Sequence, residues 1–182
     1  MPQGLNADHR SNRLLAALEP EDFACLEPHL ELVNLTHKQV LFDMGDAVSH
    51  AYFPHNAIVS LVNVMEDGAT VEVGVFGCEG VLGLLSAMAS WKACGHYIVQ
   101  MPGAASRIAF ERMKEVQNAR PKLRQLILNY GEALLGQTFQ TVACNAIHPV
   151  EARCSRWTGR IRALCRSPTS SWPRCWGCNA RP

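Results

Sequence analysis

Strong charge of either sign is missing from this sequence. Lys and Arg number 17 against 16 Asp and Glu, a formal net charge of +1. That excludes a global polycation, so any nucleic-acid contact needs a local basic patch. Met1 to Arg10 lacks the basic stretch followed by an apolar one that marks a secretory signal. Long hydrophobic runs are absent as well. The most apolar windows, Ala57 to Val64 and Gly80 to Ala89, are too short to span a bilayer. The cytoplasm is the expected compartment, with no membrane partner. A disulfide framework is also missing. Cys25, Cys78, Cys94 and Cys144 stand singly in the body of a 182-residue chain, which is long enough to bury a core without covalent staples. Single buried thiols are the reading for these four. No nucleophile–base pair, carboxylate pair or metal cluster stands at informative spacing, which argues against an enzyme.

What is present is a balance of 48% hydrophobic and 18% charged residues, ordinary for a globular domain. Leu14, Leu15, Leu18, Phe23 and Leu26 recur at helical spacing, predicting short helices over Asn12 to Leu18 and Pro20 to Leu30. Short extended segments follow at Glu31 to Leu35, Gln39 to Phe42 and Ala51 to Phe53, the last broken by Pro54. Ala57 to Met65, rich in Val, Ile and Leu, is a strand. Asp67-Gly68 supplies a hairpin turn, and Thr70 to Val75 returns from it. Val81 to Ala89 switches to helical spacing. Gly95 to Met101 is a strand, and Ser106 to Ala109 a further short one after a Pro102-Gly103 turn. Seven or eight close-spaced strands with one late helix point to a sandwich or closed barrel.

The pattern changes after Ala109. Phe110 to Asn118 reads as a helix, and Pro121 starts another that can run to about Asn145, roughly 35 Å. It carries two apolar stripes, Leu123, Ile127, Tyr130, Leu134 and Leu128, Leu135, Phe139, Val142. One stripe can lie against the barrel and the other against a second copy of the helix. A helix buried on both sides within one chain has the same pattern. The resulting organisation is N-terminal helices over 1–29, a barrel over 30–109 and helices over 110–146, with Leu123, Ile127, Tyr130, Leu134, Leu135 and Val142 as the dimer-helix residues.

Particular residues carry a resemblance. Leu41-Phe42-Asp43-Met44-Gly45-Asp46, Ala51-Tyr52-Phe53-Pro54 and Ile58-Val59-Ser60-Leu61-Val62 resemble the barrel signature of cyclic-nucleotide-binding-type domains. Asp67-Gly68, Val71-Glu72-Val73-Gly74 and Glu79-Gly80-Val81-Leu82-Gly83-Leu84 resemble the approach to their phosphate-binding cassette. Together with Asn145 to Arg153 they look like a subgroup of the bacterial Crp/Fnr transcription regulators. The resemblance implies a mainly β fold, a double-stranded β-helix (jelly-roll) barrel flanked by N-terminal helices and a long C-terminal dimerisation helix. It also implies a homodimer that binds DNA.

In such domains backbone N–H groups at the cassette turn receive a cyclic phosphate, an arginine clamps it and a glutamate holds the ribose. Here the turn is Gly80, Val81, Leu82 and Gly83, and Leu84 stands where the glutamate is expected. Ser90 to His96 supplies no arginine followed by serine or threonine. Lys92 or His96 can stand near an anion, though neither offers a bidentate fork, and a solvated lysine and a strand-end histidine read equally well. A cyclic nucleotide remains a possible ligand whose expected Glu and Arg are missing, and the effector is open. The iron–sulfur members use an N-terminal cysteine cluster, which Cys25 alone cannot supply.

Residues 147–182 depart from the resemblance. An apolar helix and a helix-turn-helix are expected, yet Ser155 to Pro182 shows no sustained period. A nucleotide string coding Trp-Pro-Arg-Cys-Trp, as at Trp172 to Trp176, can encode Leu-Ala-Gln-Met-Leu when read one base over. The segment is therefore expected to be a degenerate remnant of a winged helix-turn-helix, produced by a frameshift near Arg153 to Trp157. Cys175-x-x-Cys178 lacks the second well-spaced pair that a structural zinc needs, so no metal is expected.

Overall fold

The computed structural model describes residues 8–84 and 91–147. A 3₁₀ turn over His9–Ser11 leads into α1 (Arg13–Ala16) and α2 (Pro20–Leu26), and a second 3₁₀ turn over Glu27–His29 follows. Asn12 caps α1, its side-chain oxygen accepting from the N–H groups of Leu14 and Leu15. The two expected N-terminal helices thus exist but are shorter, and α2 stops before Leu30 because Pro28 restarts the chain in a tighter turn.

Seven strands follow: β1 (Glu31–Leu35), β2 (Val40–Phe42), β3 (His50–Pro54), β4 (Ile58–Val64), β5 (Thr70–Phe76), β6 (His96–Met101) and β7 (Gly103–Ala109). They form two antiparallel sheets, β1-β7-β3 and β2-β6-β4-β5. Long crossovers between the sheets give a jelly roll, as the resemblance implied. The β4–β5 hairpin turns where Asp67-Gly68 predicted. Gly68 sits at φ +83°, its N–H donates to Met65 C=O at 2.9 Å, and Asp67 Oδ1 accepts from Ala69 N–H.

Two strands differ from their sequence reading. β3 keeps Pro54, which is tolerated at the strand end opposite Ala105. β7 is seven residues rather than four, and it pairs with both β1 and β3. Its Gly103-Ala104-Ala105 start read as turn composition. Gly103 is small for a reason, since a Cβ there would lie 2.4 Å from Asn56 Oδ1, the atom that accepts from Ala104 N–H.

Beyond the barrel come α3 (Phe110–Ala119) and α4 (Pro121–Ile147), the latter 27 residues long. Leu123, Ile127 and Tyr130 of α4 are buried, and Leu134 packs at the edge of the core. Leu14, Leu15, Leu18, Leu26, Phe53, Met113 and Ile127 meet around one small apolar gap, so α1, α2, β3, α3 and α4 share a single core. The second stripe is solvent-facing: Leu135 is 56% exposed, Phe139 68% and Val142 61%. No helix among the described residues is long and apolar enough to cross a membrane. Residues 147–182, apart from Ile147, lie outside the described residues, and so does most of the expected Val81 to Ala89 helix.

Candidate cassette and its helix contact

The residues singled out for ligand binding fall into two groups in space. Gly80 to Leu84 run alongside β3. Tyr52 and Leu82 exchange backbone bonds, at 3.2 Å from Tyr52 N–H and 2.8 Å from Leu82 N–H, so the chain is still extended at Leu82 and turns helical only at Leu84. Gly83 makes that turn at φ +80°, where a Cβ would strike His50 C=O at 2.8 Å and Val48 Cγ1 at 2.9 Å. Lys92 and His96 lie on the other flank. Lys92 bridges Ala47 through its backbone, beside the same Val48–His50 segment. His96 Nδ1 lies 2.8 Å from Asp43 Oδ1, so its imidazole is committed to a carboxylate.

Three of the turn's four donors are already engaged. Gly80 N–H donates to Gly77 C=O at 3.1 Å, Val81 N–H to Tyr130 Oη at 3.2 Å, and Leu82 N–H to Tyr52 C=O. Val81, Leu82 and Leu84 are all buried. Their surroundings are aromatic. Phe42 stands edge-on to Tyr52 at 5.8 Å and to Tyr97 at 5.7 Å, and Tyr97 meets Phe76 at 6.0 Å. A ribose hydroxyl placed at Leu84 would face hydrocarbon without a hydrogen-bonding partner from that side chain. Asp43 beside His96 disfavours a phosphate on that flank.

The sequence placed Tyr130 on one of the two apolar stripes of the long helix and among its dimer-helix residues, and the structure buries it in the chain's own core. The structure gives it a further task. Its phenol accepts from Val81 N–H and donates to Val81 C=O at 3.4 Å, so one hydroxyl of α4 satisfies both backbone groups of one cassette residue. Burial pushes its pKa up to about 12, against the opposing effect of the Val81 backbone bond, so the donor proton stays in place at neutral pH. Gly80 is explained by the same contact, because a Cβ there would lie 2.9 Å from the phenol oxygen. Tyr130→Phe leaves both Val81 groups buried and unpaired. The expected cost is about 1–3 kcal/mol, read as a lower thermal midpoint with native far-ultraviolet dichroism.

Three neighbouring contacts carried no clear sequence signal. Asn12 Nδ2 donates to Pro54 C=O and Gly80 C=O, each at 2.9 Å, tying α1 to the cassette turn. Trp91, at φ 60°, sets its indole edge-on to Phe110 at 4.7 Å, with Lys114 Nζ 5.3 Å from the indole. Arg120, between α3 and α4, pairs with the buried Asp22 and with Glu21 of α2.

No family model matches this chain, and no curated protein does. Solved structures match over most of this chain. One is a cyclic nucleotide-binding domain from Methylobacillus flagellatus, with a TM-score of 0.61, 12% identity, and coverage of 75% of this chain and 79% of that one. The fold is that of a cyclic-nucleotide-binding domain. The same fold recurs in the N-terminal domain of a transcriptional regulator from Streptomyces coelicolor, at TM-score 0.56 and 23% identity over 74% of this chain and 94% of that one. It recurs again in the c-di-GMP responsive global regulator CLP of Xanthomonas campestris, at TM-score 0.62 and 17% identity over 82% and 74% of the two chains. Tyr130 joins Gly80 to Leu84, the segment whose sequence resembles the cassette approach, to the long helix.

Proposed function

We propose that this chain is the sensor and dimerisation portion of a Crp/Fnr-like regulator of DNA-templated transcription, acting in the cytoplasm on an effector bound at the barrel. The observation that carries the reading is the Tyr130–Val81 contact. A shift of the cassette turn cannot leave α4 unmoved without breaking two buried hydrogen bonds. Fold likeness to regulator sensor domains supports it. The homodimer forms through the exposed stripe. Leu128, Leu135 and Val142 recur every seven residues, the spacing of a helix pair.

The effector is not held in the manner the fold's name suggests, since Leu84 stands where the resemblance places the glutamate and the N–H groups of Gly80, Val81 and Leu82 are engaged. Calorimetric titration of the full chain with cyclic AMP and cyclic GMP is expected to show no submicromolar binding. Such binding by either would overturn this account of the pocket. The regulatory part is tested by selecting random duplex DNA on the full chain. Enrichment of a palindrome supports it. A stable dimer that enriches nothing leaves a ligand-binding and dimerisation module without DNA-binding activity.

A further inference from the structure

The N-terminal segment is held by a polar cluster that the sensor reading leaves unused. His9 of the first 3₁₀ turn and His55 of the β3–β4 connection meet on one hydroxyl. Ser106 Oγ of β7 lies 2.7 Å from His9 Nδ1 and 2.8 Å from His55 Nε2, and Ser106 is fully buried. A hydroxyl has one proton to donate and two lone pairs to accept with, so Ser106 Oγ can bond both rings at once. His55 is the ring that resists a proton, because its Nδ1 is buried without a hydrogen-bonding partner among the described residues. A second N–H there would have no acceptor.

The charged groups around the cluster do not relieve this. Asp8 accepts from Arg10 N–H, and the Arg10 guanidinium lies on the Phe23 ring at 4.3 Å. Arg107, next to Ser106 on β7, alternates to the other face and pairs with Glu31 of β1 at 2.8 Å. Burial, followed by repulsion from His9, holds the His55 pKa below its ordinary 6.5, with Asp8 pulling the other way. A lowered histidine pKa means the open or unfolded chain binds the proton better, so stability falls as pH drops through the ordinary histidine range. One turn beyond His9, Asn12 grips Gly80 C=O at the cassette.

We propose that His9, Ser106 and His55 form a pH-sensitive clasp whose opening on acidification frees the N-terminal turn and, with it, the Asn12 hold on the cassette. The clasp is independent of which effector the barrel takes. Hydrogen exchange of the full chain tests it at about pH 7.5 and about pH 5.5, corrected for the intrinsic rate at each pH. The expected result is a several-fold rise in opening over residues 9–18 at the lower pH, within the tenfold per pH unit that one linked proton allows, with β4 and β6 unchanged. His55→Gln keeps a group that can bond Ser106 but does not titrate, and is expected to flatten the response. Should that variant fail to fold, Ser106→Ala unties both rings, and residues 9–18 then exchange fast at both pH values. A wild-type segment that responds no more than the barrel overturns the clasp. So does a full response retained in either variant.

Discussion

Truncating Ile127 to alanine is expected to destabilise the fold by about 2–5 kcal/mol, the range for removing a buried branched side chain. Ile127 is 1% exposed and lines the gap where α1, α2, β3 and α3 close on α4. A small gap already exists there, so the neighbours have little freedom to collapse and the variant enlarges a void. Against a typical stability of about 5–15 kcal/mol that is a large fraction. The thermal midpoint should fall on the order of 10 °C. The next residue provides the contrast. Leu128 is on the exposed stripe, and Leu128→Ala should change chain stability by no more than about 0.5 kcal/mol where the protein is dilute enough to be monomeric. Denaturant titrations of the two variants at one protein concentration make the comparison. Equal losses would mean that α4 is not packed by the face described.

The second large effect concerns that exposed face. Leu135→Glu is expected to raise the dimer dissociation constant at least about a hundredfold, or to abolish the dimer. In a two-fold helix pair the substitution occurs twice, so two carboxylates meet at a position meant for two leucines. A penalty of about 3 kcal/mol already gives that factor. Because Leu135 is largely solvent-facing within one chain, the helical dichroism of the monomer should not change. Sedimentation equilibrium checks both statements. A dimer unaffected by Leu135→Glu would place the interface elsewhere.

How far the sequence foretold this molecule varies with how local the cause is. β4, its Asp67-Gly68 turn and β5 were legible, because alternation and a positive-φ glycine are encoded within a few residues. The burial of Leu123, Ile127 and Tyr130 and the exposure of Leu135 and Val142 were legible as two stripes, although which stripe faced the barrel was not. β7 was half missed, since its alanines and Gly103 carry no strand propensity and are held there by partners on both sides. At the site, the family resemblance pointed to Gly80 and Gly83 but not to their reasons. Gly80 makes room for a phenol fifty residues away, and Gly83 for the His50 carbonyl. Asn12 read only as a helix start. Its reach to Gly80 depends on how the N-terminal turn lies on the barrel, and no local pattern encodes that.

The central claim is that the cassette turn and the long helix move as one unit through Tyr130. Hydrogen exchange on the full-length Tyr130→Phe variant tests it most directly. If the claim holds, residues 80–84 and the α4 backbone around residue 130 lose protection together and by similar factors, while β4 and β6 keep theirs. If residues 80–84 loosen while α4 keeps its full protection, or if neither changes, the coupling is contradicted.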